Sequence, residues 1–274
     1  MLSLIPIHDE NPTRRRAWVT IILIALNVVV FVFEPASRSL SGEPSSAADV
    51  CHQEAFFRRY AAIPRELTTN RQLPLTVSDA PPRVEGNQIA CPLARPGYDK
   101  VPALSVLYAM FLHGSWLHLL GNMLFLWVFG NNVEDRLGRV RYLIFYLLCG
   151  FAATYGFAFA DPNGTTTLVG ASGAIAGVLG AYLVMFPRAR VTSLVPFLLF
   201  LPARLPAWVV LGSWFLLQYF YAQGASIGAG AGVAYLAHVV GFIAWIILII
   251  LFGGLRRQGG PPTQSWQQWQ SPYR

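Results

Sequence analysis

Five polar side chains lie inside strongly apolar stretches of the chain, where an ionisable or polar group is costly and by default indicates function. They are His113, His118, Asn122, Ser172 and His238. His118 and Asn122 are four residues apart in FLHGSWLHLLGNM, so on a helix their side chains project from one face. His113 lies about one turn further out on the same segment. Imidazole and hydroxyl groups of this kind can perform nucleophilic and acid–base chemistry.

A serine and a histidine on two segments rich in small residues form the second candidate feature. A serine hydroxyl is a poor nucleophile unless an adjacent base takes its proton. Ser172 opens a short apolar run, so the unpaired N–H groups of the first helical turn would point at whatever its hydroxyl attacks. Small residues four apart let helix backbones approach closely, and they occur as Gly173-x-x-x-Gly177, Ala176-x-x-x-Gly180 and Ala237-x-x-x-Gly241. If these faces pack together, the His238 imidazole reaches the Ser172 hydroxyl.

The absence of carboxylates from the apolar stretches narrows the chemistry. Those stretches contain no Asp or Glu; Glu134 and Asp135 fall at the end of one of them. An intramembrane aspartyl protease needs two buried carboxylates, and a zincin needs His-Glu-x-x-His, which this sequence lacks. Proton pumps and cation-coupled transporters are disfavoured for the same reason.

Plainer interpretations of the same residues stay open at this point. The histidines can join helices by hydrogen bonds, and the small-residue face can be a packing motif with an incidental serine. His113, His118 and His238 could ligate a metal or haem, although a spacing of five does not place the first two on one helix face. Asn27 and Gln218 lie in no such constellation, and we interpret them as hydrogen-bonding residues between helices.

The composition indicates a membrane protein. Of 274 residues, 54% are hydrophobic and 12% are charged, whereas soluble domains carry about 25% charged residues. A helix that crosses a bilayer needs about 17–25 mostly apolar residues. Six apolar runs have this length or are slightly shorter or longer, and they predict six spans. They cover residues 17–33, 103–130, 142–160, 172–186, 205–221 and 233–252. The run at 191–201 is short and broken by prolines, so we place it at the membrane interface.

The arginines indicate the orientation of these spans. Clusters at 14–16, 136–141, 188–204 and 256–257 all lie on one side if the chain starts inside the cell. The short outer loops at 161–169 and 222–232 then contain no Lys or Arg. The net charge of +7 is therefore a signal of topology and not of nucleic-acid binding.

The same topology divides the chain into five parts. These are a cytoplasmic N-terminal segment at 1–16, a first span at 17–33, an extracytoplasmic loop at 34–102, a core at 103–253 and a cytoplasmic tail at 254–274 that we expect to be disordered. Cys51 and Cys91 lie in the long loop, where they form either a disulfide or two free thiols, and Cys149 lies in a span.

Taken together and in this order along the chain, the motifs resemble those of a rhomboid intramembrane serine protease. The resemblance rests on His113, His118-x-x-x-Asn122, Gly170-Ala171-Ser172-Gly173, NVEDRLG at 132–138, YLIFYLLCG at 142–150 and Ala237-His238-x-x-Gly241. It covers about residues 104–253 and implies an all-α, polytopic six-helix bundle, here with an extended first loop. Our expected location is the plasma membrane of a bacterium, since Lys100 is the single lysine among 20 basic residues, as in proteins from high-GC bacteria.

The resemblance also implies a role for each site residue. Ser172 would be the nucleophile and His238 the general base, while His118, Asn122 and the Ser172 N–H would stabilise the oxyanion. His113, Gly170, Gly173 and Gly241 would line or support this site. No cofactor or metal is implied, and the partners would be single-span membrane proteins in the bilayer, cut after a small residue near the extracytoplasmic surface.

Two positions depart from the family pattern. Rhomboids often carry an aromatic residue four positions after the serine, stacked on the histidine, where this chain has Ala176. Many also have a glycine where this chain has Trp245. The alternative function is that of a catalytically inactive rhomboid-like protein that binds membrane clients, although such proteins usually lose the serine or the histidine.

Overall fold

The computed structural model describes residues 4–39, 44, 46–78, 80–85, 88–196, 199–222 and 235–251. This part of the chain is predominantly helical. Its α-helices are α1 Trp18–Val32, α2 Ala47–Tyr60, α3 Pro64–Thr69, α4 Pro102–Ala109, α5 Trp116–Leu137, α6 Arg139–Ala160, α7 Ser172–Met185, α8 Ala207–Ala222 and α9 Tyr235–Leu251. The predicted tail at 254–274 lies outside the described residues, as does the predicted outer loop at 222–232 beyond its first residue.

Helix α7 forms the centre of the bundle. All its residues from Ala174 to Tyr182 are buried, and it packs against α5, α6 and α9. The small-residue faces of α7 and α9 meet backbone to backbone. A Cβ atom added to Gly180 would lie 2.8 Å from the carbonyl oxygen of Phe242, and one added to Gly241 would lie 2.9 Å from that of Gly173. The two helices are therefore as close as their backbones allow, as the small-residue spacing predicts.

A glutamate of α5 completes the start of α1. The residue before α1, Ala17, has no side chain that could cap the helix. The backbone N–H groups of Val19 and Thr20 instead donate to the Glu134 carboxylate at 3.0 and 2.8 Å. The Thr20 hydroxyl donates to the same carboxylate at 2.8 Å. Because unpaired N–H groups at a helix start need acceptors, Glu134 anchors α1 to the end of α5.

A three-stranded antiparallel sheet corrects the all-α expectation. Its strands are β1 Ile5–Asp9, β6 Arg190–Val195 and β7 Leu201–Pro206, in the order β1-β6-β7. The run predicted to lie at the membrane interface forms a hairpin, in which Val191 pairs with Leu205. The side chains of β6 alternate between buried and more exposed positions, which is the pattern of a strand and not of an apolar helix. The fifth apolar run accordingly begins its helix at Ala207.

The second predicted span is two helices and not one. Helix α4 ends at Ala109 and α5 begins at Trp116, so His113 lies in the connection and its placement within a spanning helix was wrong. The break has a local cause. Ser115 is an N-cap in extended conformation whose hydroxyl accepts the N–H of His118, and it therefore starts a new helix.

Among the described residues, only α6 is both long and apolar enough to cross a bilayer by itself. Helices α1, α7 and α8 are apolar but shorter. The number of six spans therefore stays a prediction.

The described residues of the long loop after α1 form a small subdomain. It contains α2, α3 and two antiparallel strand pairs, β2 Thr76–Val77 with β5 Leu93–Ala94, and β3 Arg83–Glu85 with β4 Gln88–Ala90. Cys51 and Cys91 are joined in a disulfide across 40 residues. Lys100 and Glu66 form a buried ion pair of 2.7 Å. Burial lowers the pKa of the Lys100 ammonium group from its usual range, although Glu66 opposes this shift.

Candidate active site

The two residues expected to react lie in hydrogen-bond contact. Ser172 is the first residue of α7, and His238 lies in the first turn of α9. Nε2 of His238 is 2.7 Å from Oγ of Ser172. The distance matches an ordinary hydrogen bond between a hydroxyl and a nitrogen acceptor. It results from the close packing of α7 and α9, which brings together residues that are 66 positions apart.

The start of α7 leaves backbone donors free beside the serine. Ile175 makes the first intrahelical bond, to the carbonyl of Ala171, so the N–H groups of residues 172–174 have no intrahelical acceptor. Gly170, with φ of +118°, turns the chain into the helix in a conformation that suits glycine. Its N–H donates to the Ala109 carbonyl at 2.8 Å, which holds the turn against α4.

A small cavity of about 40 Å³ adjoins the serine and the histidine. A water molecule needs about 10–15 Å³, so the cavity has room for water beside the two side chains. Gly170 keeps this space open, because a Cβ atom there would lie 2.9 Å from the His118 imidazole. The lining residues are Ala109, His118, Ala153, Thr154, Leu168, Val169, Gly170, Ser172, Gly173, Ala237 and His238.

Asn122 lies one helical turn after His118 on α5 and is buried. Its Nδ2 atom has no hydrogen-bond partner within the described part of the chain. A buried amide donor without a protein acceptor is costly, so Asn122 is a candidate donor to a water molecule or to a bound ligand.

His113 lies behind His118 and not at the cavity. The two imidazole rings are 5.1 Å apart, edge to face, and Phe31 packs on the other side of His113. The backbone N–H of His113 donates to the buried carboxylate of Glu34 at 3.1 Å. Burial raises the pKa of Glu34 to about 8. Glu34 was not predicted from the sequence, because a single acidic residue after an apolar run has no distinguishing spacing.

Gln218 hydrogen-bonds between two helices, as predicted, but its partner was not predicted. Its Oε1 atom on α8 lies 2.7 Å from Nδ1 of His238 on α9, so it contacts the candidate base directly. Asn27, interpreted in the same way, donates to the Leu23 carbonyl of its own helix. No pattern in the sequence identified this partner, because the two residues lie on different helices and 20 positions apart.

The ring of His238 has aromatic neighbours although position 176 is an alanine. Trp214 packs at 6.0 Å between ring centroids, and Tyr235 meets the imidazole edge to face at 6.3 Å. Ala176 is buried in α7 and its Cβ lies near Gly241. The side chain of Trp245 lies outside the described residues.

The alternative of a metal or haem site needs a cluster of ligands, and the described residues contain none. No group of three or more His, Cys, Asp or Glu side chains there is arranged to hold a metal ion. His113 and His118 are neighbours, whereas His238 points at Ser172 and Gln218.

The part of the chain that contains this site matches a known protein family. Residues 103–254, more than half of the chain, match the Rhomboid domain family. The chain belongs to the rhomboid family. Rhomboid proteins are integral membrane proteins, and this domain contains α4 to α9 with every residue of the cavity.

Several curated rhomboid proteins are similar over shorter stretches. RHOMBOID-like protein 5 of Arabidopsis thaliana is 38% identical over 74 residues, which cover 27% of this chain and 24% of the relative. Rhomboid protein 1, mitochondrial, of Saccharomyces cerevisiae is 32% identical over 92 residues, covering 32% and 27%. Rhomboid-like protease 5 of Toxoplasma gondii is 39% identical over 80 residues, covering 28% and 9%. The chain thus spans about a quarter of the length of the first two relatives.

Proposed function

We propose that this rhomboid protein is a serine endopeptidase that hydrolyses peptide bonds in or near the membrane segments of other proteins. The observation that carries the proposal is the 2.7 Å contact between Ser172 and His238 beside a water-sized cavity. The contact supplies what a serine needs to become a nucleophile, namely an adjacent base.

The reaction begins with transfer of the Ser172 hydroxyl proton to Nε2 of His238. Oγ attacks the carbonyl carbon of the scissile bond, and the carbonyl oxygen becomes an oxyanion. His238 then gives the proton to the leaving amine nitrogen, which leaves an ester on Ser172. A water molecule loses a proton to His238 and attacks this ester, and the proton returns to Oγ as the carboxylic acid departs.

Three donors are candidates for holding the oxyanion. The backbone N–H of Ser172 is free at the helix start, the Nδ2 group of Asn122 is buried without a partner, and the His118 imidazole lines the cavity. Each such donor contributes about 2.7–4 kcal/mol to transition-state stabilisation. Loss of Asn122 or His118 should therefore lower kcat by about 100-fold or more while the Ser172–His238 contact remains.

The substrates we propose are single-span membrane proteins cut after a small residue near the extracytoplasmic surface. The proposed location is the plasma membrane of a bacterium, with both termini in the cytoplasm. The arginine clusters support this orientation, because basic residues stay on the cytoplasmic side.

Cleavage of a tagged single-span protein in liposomes tests the proposal. Wild type, Ser172→Ala and His238→Ala are compared, and a fluorophosphonate probe measures the reactivity of the serine separately. We expect cleavage and labelling in wild type alone. Labelling that survives Ser172→Ala would refute the assignment of the nucleophile. A folded wild type that neither cuts nor reacts would favour the alternative of a client-binding protein without activity.

A further inference from the structure

Helix α8 presents two side chains to the candidate base. Trp214 and Gln218 are four residues apart and lie on the same helix face. The tryptophan ring lies 6.0 Å from the imidazole between centroids, tilted by 33°, and the glutamine Oε1 lies 2.7 Å from Nδ1. The imidazole is thus held by Ser172 on one nitrogen and Gln218 on the other.

The contact with Gln218 determines where the imidazole carries its proton. With the Gln218 amide oriented so that its oxygen faces the ring, Nδ1 is the donor and carries the proton, because an amide oxygen can only accept a hydrogen bond. In the neutral ring, Nε2 is then the unprotonated nitrogen and can accept the hydroxyl proton of Ser172. The opposite tautomer would place a proton on Nε2 and leave the serine without a base.

We propose that Gln218 is a positioning residue that fixes the tautomer and orientation of His238, so that Ser172, His238 and Gln218 form one hydrogen-bonded row. This inference rests on the proposed function. Gln218 touches neither the cavity nor the nucleophile, and it acts only through His238. In serine hydrolases with a triad, an acidic residue holds this position on the histidine.

A neutral amide suits the surroundings of this histidine. The ionisable side chains near its ring, within the described residues, are His118 across the cavity and Tyr235 with Tyr221 behind it. Gln218 is half-buried, so a carboxylate there would lose part of its hydration among apolar and aromatic groups. The glutamine provides the acceptor without this cost.

Trp214 supplies the packing that α7 does not. The family pattern places an aromatic residue four positions after the serine, and this chain has Ala176 there. The alanine lets α9 approach closely, since its Cβ lies 3.5 Å from a Cβ atom added to Gly241. The apolar support of the imidazole therefore comes from α8, on the same face as its hydrogen-bond acceptor.

The test compares three variants in the liposome cleavage assay. Gln218→Met keeps the length of the side chain and removes the acceptor. Gln218→Glu keeps an acceptor and adds a charge. Ser213→Ala is the matched control on the same helix, because its hydroxyl bonds only the Val210 carbonyl of its own helix in the described structure. Rates are measured across pH, and the nitrogen chemical shifts of histidine report the tautomer of His238.

We expect Gln218→Met to lower kcat about 10-fold or more with little change in KM, since one hydrogen bond of about 1.4 kcal/mol corresponds to a factor of 10. Its His238 signals should change from a single Nδ1-protonated form to a mixture. Gln218→Glu should stay active, with the acid limb of kcat/KM at higher pH by about one unit, because a carboxylate favours the imidazolium. Ser213→Ala should behave as wild type.

Three results would overturn the inference. They are Gln218→Met within twofold of wild-type kcat, a loss in Ser213→Ala as large as in Gln218→Met, and an unchanged histidine tautomer in folded Gln218→Met. If Gln218→Met does not fold, an unshifted acid limb in Gln218→Glu decides against it. A wild type without activity refutes the proposed function instead, and the chemical shifts still test the contact with Gln218.

Discussion

The close approach of α7 and α9 makes Gly241→Ala the sharpest test of the site's geometry. Gly241 lies one turn after His238 on α9 and touches no reacting atom. Its Cα faces the backbone of Gly173, the residue after the proposed nucleophile. Any side chain at position 241 must therefore push the histidine helix away from the serine helix.

The size of the effect follows from two distances. A Cβ atom at position 241 would lie 2.9 Å from the Gly173 carbonyl oxygen, and ordinary contact begins at 3.4 Å. The helices must separate by 3.4 − 2.9 = 0.5 Å, since the oxygen is a backbone atom and the position of a Cβ is fixed by its own backbone. The Ser172–His238 contact of 2.7 Å would then lengthen to about 3.2 Å, at the limit of a useful hydrogen bond. A misplacement of 1 Å costs about 100-fold in rate, so half of that predicts a loss of about 10-fold.

The assay measures kcat on a single-span substrate in liposomes and the rate of fluorophosphonate labelling. Gly212→Ala is the matched control, because an added Cβ there meets nothing within 4 Å. In the interior of α8, alanine should stabilise the helix by about 0.5–1 kcal/mol and leave the rate unchanged. Melting temperatures of both variants separate a displaced histidine from general unfolding.

A folded Gly241→Ala protein with wild-type kcat and labelling would refute this reasoning. It would mean that the two helices can separate without lengthening the contact of Ser172 with His238. Equal losses in Gly241→Ala and Gly212→Ala would also contradict it, because only the first position faces a backbone neighbour.

Three further predictions concern buried groups outside the spans. Burial raises the pKa of Glu34 from 4.5 to about 8, so the folded state holds the proton more tightly and the free energy of unfolding should fall as the pH rises from 4.5 to 8, by up to about 1.4 kcal/mol per pH unit. Glu34→Gln should flatten the dependence of the melting temperature on pH, and parallel curves for the two proteins would contradict this. Lys100→Met leaves the Glu66 carboxylate buried without its ion-pair partner, which should lower the free energy of unfolding by about 3–5 kcal/mol. Adding Glu66→Gln should restore part of the lost melting temperature, and a double variant no more stable than Lys100→Met would contradict this. Replacing both Cys51 and Cys91 by serine opens a loop of 40 residues, whose closure by the disulfide stabilises the folded state by about 4 kcal/mol. Limited proteolysis should therefore cut this subdomain faster, and an unchanged rate would contradict a stabilising role of the disulfide.

Sequence alone determined the helical bundle and the candidate serine and histidine. Apolar runs and small residues four apart are local properties, and local spacing predicts which helix faces can meet. Ser172 and His238 stand out for a similar reason, since polar residues in apolar runs are costly wherever the helices pack. The extended loop with its two cysteines was also visible, although their pairing was not.

Other features depend on contacts between distant parts of the chain. Glu134 caps a helix more than 110 positions away, and the strand Ile5–Asp9 pairs with Arg190–Val195. Such pairings have no sequence period, so the all-α expectation missed the sheet. The break between α4 and α5 depended on the cap at Ser115, one short residue in a long apolar run.

The tertiary structure alone decided how the histidine is held. Gln218 looked like any polar residue in an apolar helix, and Ala176 looked like a missing ring. Only the packing of α8 against α9 brings the Gln218 oxygen and the Trp214 ring to the same imidazole. The spacing of residues along a helix determines which side chains share a face. The hydrogen-bond partner of such a side chain depends on which other helix the fold packs against that face.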